Sequence, residues 1–257
     1  MEQIFYFLEN KFMVWAFILT RVAGFLLATP LYSGWYIPTT VKVMFAILTS
    51  WLMVFSVPNV NIPLDINPML MLSGFINNFL VGVIIGFIAY MLISAVMSAG
   101  SIFSIQMGFM MASSFDPNAP DIPLLGNYMY LLALYIFAAA KGHVVFYSIL
   151  ANSLKKIPIT MYGVHFDLGK FIIDHSGEMF VLALQIGITI IAFMLVVTVL
   201  LGIISRLIPQ MNVFMVGIPL KVLLGFIIFL GMIPIWAETF EILTDKMINY
   251  AQAFISK

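Results

Sequence analysis

The residues of this chain that could do chemistry are few and scattered. Its three histidines are His143, His165 and His175, and it has no cysteine. That removes thiolate nucleophiles, thiolate metal ligands and disulfides at once. His143 follows Lys141-Gly142 between two apolar runs. A general base needs an orienting carboxylate or a second base within hydrogen-bond reach, and the sequence places none nearby. His143 therefore reads as a packing or capping histidine. Asp174, His175 and Glu178 could gather round a cation, but their spacing fits no metal-ligand signature. With Lys155, Lys156, His165, Asp167 and Lys170 they form the most polar stretch of the chain, and a solvated loop is expected there. No catalytic residue or metal ligand is assigned, and no cofactor is expected.

Two other features carry physical rather than reactive chemistry. Arg21 interrupts the apolar run Phe12 to Thr29, where a cation inside a bilayer costs about 2.5–3.5 kcal/mol on insertion scales. Phe17, Gly24 and Ala28 share its helical face, so a second chain can come close enough to supply carbonyls or a carboxylate. An anchor between subunits and a substrate contact both remain open. The second feature is Gln106-Met107-Gly108-Phe109-Met110-Met111-Ala112-Ser113-Ser114-Phe115-Asp116-Pro117. It sets methionines and phenylalanines around a glycine and ends in Asp-Pro, which favours a turn. Methionine is flexible and polarizable, so the segment suits either a core patch or an adaptable seal.

The elements that must position these residues follow from composition. Of 257 residues, 63% are hydrophobic and 9% charged, against about 25% charged in a soluble domain, so the chain is an all-α, polytopic membrane protein. Formal net charge is zero, which leaves no basic footprint for nucleic acid. A span needs about 20 apolar residues. Six candidates emerge between Pro, Gly and charge boundaries: Phe12 to Thr29, Val43 to Val57, a stretch within Pro68 to Gln106, Ile122 to Leu154, Met179 to Ser205, and Val222 to Trp236 with an amphipathic tail. They are expected to be long, partly broken helices arranged as hairpins. From Ile66 to Phe115 the chain carries no charge, which predicts a tilted, broken or re-entrant path. Every fourth residue there is small or polar: Gly74, Asn78, Gly82, Gly86, Tyr90, Ser94, Ser98. Gly82 and Gly86 make a G-x-x-x-G pair, which lets helices approach closely. The stripe serves packing within the chain or between subunits. Loops are expected over Leu31 to Lys42 and Asn59 to Asn67, and a hairpin turn over Arg206 to Lys221. No basic n-region or cleavage signal is visible near Met1.

Several motifs, in order and over nearly the whole length, resemble the FliR family. They are Gln106-Met107-Gly108, Phe115-Asp116-Pro117, the Lys141-Gly142-His143 turn, and Arg206-x-x-Pro209-Gln210-x-Asn212-x-Phe214-x-x-Gly217-x-Pro219. Arg21 with Pro30, and Pro38-x-x-x-Lys42, also fit the family's N-terminal pattern. The resemblance implies a non-enzymatic core subunit of a type III protein-export gate in the bacterial inner membrane at the flagellar basal body. Its implied partners are the P and Q subunits FliP and FliQ, the switch subunit FlhB, membrane lipid and the unfolded proteins exported. One export-gate domain, 1–257, is implied, with about 1–154 similar to the P fold and about 179–257 to a Q-type helical hairpin. Such chains pack in a helical heteromeric assembly that sits largely above the membrane plane.

The resemblance also gives residues their roles. Gly108, Phe109, Met110, Met111, Phe115, Asp116 and Pro117 match the loop that helps plug the channel, with Asp116-Pro117 shaping it. Arg206, Pro209, Gln210, Gly217 and Pro219 match a hairpin at the cytoplasmic entrance. Arg21, Gly24, Gly82 and Gly86 are the subunit-packing candidates. The family often has an acid where this chain has Asn78. Counting Lys and Arg over six spans gives a cytoplasmic N-terminus, opposite to the implied orientation; acids accompany those lysines, so the resemblance is followed. The alternatives are the equivalent injectisome subunit and a small-solute secondary transporter. Only Arg21 offers a transporter the ionisable midplane group it usually needs.

Overall fold

A computed structural model describes residues 2–33, 37–57, 60, 62, 67–109, 123–160, 168–208 and 213–256. All the regular structure among them is helical: α1 (Glu2–Ala28), α2 (Pro30–Ser33), α3 (Thr39–Val54), α4 (Pro68–Gln106), α5 (Leu124–Ala139), α6 (Gly142–Lys156), α7 (Leu168–Leu207) and α8 (Val213–Ser256). Four of these, α1, α4, α7 and α8, are long and apolar enough to cross a membrane, and the bent pair α5–α6 counts as a fifth only if it forms one span rather than a re-entrant loop. The region expected as the second span, α3, is apolar but only 16 residues long, about 24 Å at 1.5 Å per residue.

Of the three paths expected for the charge-free stretch, tilted, broken or re-entrant, its described helical part shows no break. α4 runs unbroken for 39 residues, about 58 Å and roughly twice the hydrocarbon thickness of a bilayer. No proline follows Pro68 in it, and each interior glycine costs only about 1 kcal/mol. Packing supplies more than that, since 67% of its most apolar window is buried. The polar stretch before Glu178 is likewise not all loop. α7 begins at Leu168, so Asp174, His175 and Glu178 are helical. Once the apolar helix is nucleated, each further residue adds a hydrogen bond. The hairpin turn is expected over Arg206 to Lys221, but Gly217, Pro219 and Lys221 already lie in α8. Helices in apolar surroundings absorb such prolines through local adjustment.

By compactness the chain forms two units. One comprises Met1–Met91, Lys141–Ile173 and Thr244–Lys257, the other Leu92–Ala140 and Asp174–Leu243. The core of the first holds Phe17, Ile18, Val22, Phe25, Ile85 and Phe146, all at most 1% exposed. α1 crosses α4 there through backbone contact. A Cβ on Gly24 would strike the Phe79 carbonyl, one on Gly82 the Arg21 carbonyl, and one on Gly86 would lie 2.7 Å from the Phe25 carbonyl oxygen. In the second unit α4 and α5 meet the same way, Gly100 lying against Leu125 and Gly126. Ser104 of α4 accepts from the Leu125 N–H at 3.1 Å, satisfying a donor that the first turn of α5 leaves open.

The break between α5 and α6 falls at Lys141, whose φ of 57° is the only positive value at a non-glycine among the described residues. A left-handed lysine is strained. Its carbonyl nevertheless starts the next helix, accepting from Val144 and Val145 at 2.9 and 3.2 Å.

Candidate functional site

Among the described residues of the first unit, Arg21 is the one charged side chain that is buried, at 0% exposure. Its Nε and Nη2 donate to Asn78 Oδ1 at 3.0 and 2.7 Å. Nη1 donates to the Ser153 carbonyl at 3.0 Å and to Ser153 Oγ at 3.3 Å. Both terminal nitrogens reach the Ile157 carbonyl at 3.3 Å. These carbonyls end α6, where unsatisfied acceptors and the helix dipole concentrate negative potential. The cation is thus held by a helix C-terminus and an amide rather than by a carboxylate. Asn78 completes the node, its Nδ2 donating to the Gly74 and Ile159 carbonyls at 2.8 Å each.

For the subunit-packing candidates the consequence is plain. Arg21, Gly24, Gly82 and Gly86 meet this chain's own α1, α4 and α6. The small-residue stripe packs internally from Gly74 to Gly86, then drifts outward as a spacing of four drifts on a helix of 3.6 residues per turn. By Tyr90 it is 46% exposed.

In the second unit the start of the methionine-rich segment is sharply defined. Gly108 has φ +87°. Its N–H donates to the Ile105 carbonyl and that of Phe109 to the Ser104 carbonyl, both at 3.0 Å. This is the paired bonding of a Schellman motif, with glycine at its left-handed position. Three successive residues then meet α8. Met107 is fully buried, and a Cβ on Gly225 would lie 2.5 Å from its Cγ, 2.6 Å from Cε and 2.9 Å from Sδ. A Cβ on Gly108 would lie 3.9 Å from Ile218 Cγ2. Phe109 meets Phe226 edge-on, ring centroids 5.7 Å apart. Nearby, Phe103 stacks on Trp236 at 5.3 Å, and Phe229 closes on both.

Of the plug candidates, Met110, Met111, Phe115, Asp116 and Pro117 lie outside the described residues, as do Pro209 and Gln210 of the hairpin. Arg206 is exposed in the last turn of α7, where a cation complements the helix dipole. Gly217 is buried and Pro219 exposed in α8. His143 opens α6 with a buried Nδ1 that has no hydrogen-bond partner. Among the described residues no three His, Cys, Asp or Glu side chains gather to hold a metal. Sequence reading missed the Ser153 and Ile157 carbonyls and Gly225. Only Gly225 left a signal, a lone glycine inside an apolar helix, which usually has a packing reason.

Comparison with known proteins bears on the whole length. The family model described as bacterial export proteins, family 1, matches residues 12–247. The chain is 32% identical over 222 residues to the flagellar biosynthetic protein FliR of Bacillus subtilis strain 168, covering 85% of each chain. It is 29% identical over 235 residues to the FliR of Aquifex aeolicus strain VF5, covering 91% of this chain and 88% of that one. For the FliR of Escherichia coli strain K12 the values are 26% over 240 residues, 93% and 91%.

Proposed function

Since the chain belongs to the FliR family of bacterial export proteins, we propose that it is a core membrane subunit of the flagellar type III protein-export gate. The match from residue 12 to 247 carries this reading. In it the chain acts by building and sealing a channel for unfolded flagellar proteins in the bacterial inner membrane, and no reaction is assigned to it. Its partners are FliP and FliQ, with FlhB as the switch subunit. Residues 1–154 stand in for a P-type subunit and 179–257 for a Q-type hairpin, to which α7 and α8 supply two long helices. Arg206 and Pro209 to Pro219 form the cytoplasmic entrance.

The plug in this reading is the segment from Gly108 to Pro117. A glycine-ended helix launches it, and methionine side chains make a seal that deforms around a passing chain. Two measurements test the proposal. A strain lacking the gene should leave hook and filament proteins out of the culture medium, and unchanged export there ends the flagellar reading. Changing Phe109, Met110, Met111 and Phe115 together to Ala should preserve the assembled gate and raise its ion conductance. A lower complex yield with baseline conductance makes the cluster core packing.

A further inference from the structure

We propose that the groove between α6 and the end of α8 is a lipid site, which takes the phosphate of an anionic phospholipid on Lys155 and Lys156. The groove lies wholly within the first unit. It measures about 570 Å³, within the usual range for a small-molecule pocket. Ser148, Asn152, Lys155 and Lys156 line it from α6, and Asn249 and Gln252 from α8. Spacings of three and four residues set each group on one helix face. All these side chains are exposed, and no carboxylate stands among the described lining residues. In a chain that is 63% hydrophobic, such a ring of amides, a hydroxyl and two ammonium groups suits a polar, negatively charged ligand.

Lysines in the last turn of a helix have an ordinary explanation, since cations there offset the helix dipole. In α6 that role is already filled from inside. The Arg21 guanidinium meets the Ser153 and Ile157 carbonyls at the end of the helix. Lys155 and Lys156 therefore face the groove as surplus positive charge, and an anion beside them does not meet a bare negative helix end. Ammonium groups hold phosphate as point charges, and basic pockets between membrane helices bind anionic lipid head groups. The apolar side of the groove favours a lipid over a free anion. Ile149 and Ile255, 3% and 5% exposed, form its floor. Val144, one turn before Ser148 on the same face of α6, is 53% exposed and gives the first methylenes of an acyl chain a path away from the head group. One turn before Asn249, the exposed Asp245 and Lys246 offset each other.

The test uses the assembled gate in detergent, titrated with phosphatidylglycerol, with bound lipid counted by native mass spectrometry. Lys155→Gln with Lys156→Gln should lose one phosphatidylglycerol per copy of this chain, or hold it about tenfold more weakly. Lys141→Gln with Lys246→Gln removes the same charge elsewhere and should lose none. Ser148→Trp fills the groove and leaves both lysines, so it should lose the same lipid; it decides alone if the double glutamine variant does not assemble. Lipid counts equal to wild type in these groove variants overturn the site, and retention in Ser148→Trp alone reduces it to diffuse charge. Phosphatidylcholine bound as tightly as phosphatidylglycerol overturns the anionic preference. Displacement of the lipid by millimolar inorganic phosphate makes the groove a free-anion site. A carbodiimide crosslink from Lys155 or Lys156 to a carboxylate of another subunit also overturns the proposal and gives the groove to an acidic partner segment. None of these readouts uses export or conductance, so the lipid site and the gate reading stand or fall separately.

Discussion

A buried guanidinium without a carboxylate is costly unless every donor finds an acceptor. Arg21 meets that condition with Asn78, Ser153 and the end of α6. Arg21→Leu is therefore expected to destabilise the chain by roughly 1–3 kcal/mol for each neutral acceptor it leaves buried and unpaired. It takes the guanidinium from Asn78 Oδ1 and the Ile157 carbonyl, whereas the Ser153 carbonyl keeps the Ile157 N–H at 2.8 Å. Arg21→Lys should rescue little, because one ammonium cannot span an amide on α4 and carbonyls on α6 as a planar fork does. Thermal inactivation of the purified gate measures both, and near-wild-type stability of Arg21→Leu would remove the node from the account. The need for partners was legible in the sequence, since a mid-helix arginine demands them. Their identity was not. Apart from Asn78, 57 positions on, and the Ser153 hydroxyl, the acceptors are backbone carbonyls more than 130 positions away, and a carbonyl leaves no mark on residue type. For Gly108 the sequence did better, because a left-handed helix end all but requires glycine.

Among elements, the crossing of α1 and α4 depends on the absence of three side chains. At Gly82 an added methyl meets backbone, the Arg21 carbonyl, and backbone cannot swing aside. Gly82→Ala should push the helices apart and lose most of the assembled complex. The same change at Gly177 or Gly202, whose Cβ positions meet nothing within 4 Å, should lose none. Complex yield on affinity purification compares the three, and equal yields would mean that the close approach is dispensable. Spacing alone announced this approach, as four-residue intervals of small residues do. It could not say which helix approaches, and the answer was the chain's own α1. Spacing also misjudged length. A charge-free run offers no boundary, so a tilted, broken or re-entrant path is expected, whereas α4 runs on unbroken with 67% of its most apolar window buried.

At the scale of the whole chain, apolar surface outruns anything water tolerates. Leu195, Val199, Ile203 and Leu207 of α7 repeat every four residues, and each is more than half exposed. In α8 only 17% of the most apolar window is buried. Lipid alone cannot cover such surface along the full helices. α7 and α8 have 40 and 44 residues, about 60–66 Å, against a hydrocarbon core of about 30 Å. Apolar side chains beyond the bilayer must be covered by protein, and obligate interfaces are where such faces belong. Expressed alone, the chain should aggregate or degrade in mild detergent. Expressed with FliP and FliQ, it should migrate with them as one complex on size exclusion, and its half-life at fixed temperature should rise. The same logic makes the α7 stripe the place to interrupt assembly: Val199→Asp should spare the chain's own fold, since the side chain is outside its core, and prevent co-migration. A stable, monodisperse chain that ignores both partners would show that this apolar surface is satisfied without them.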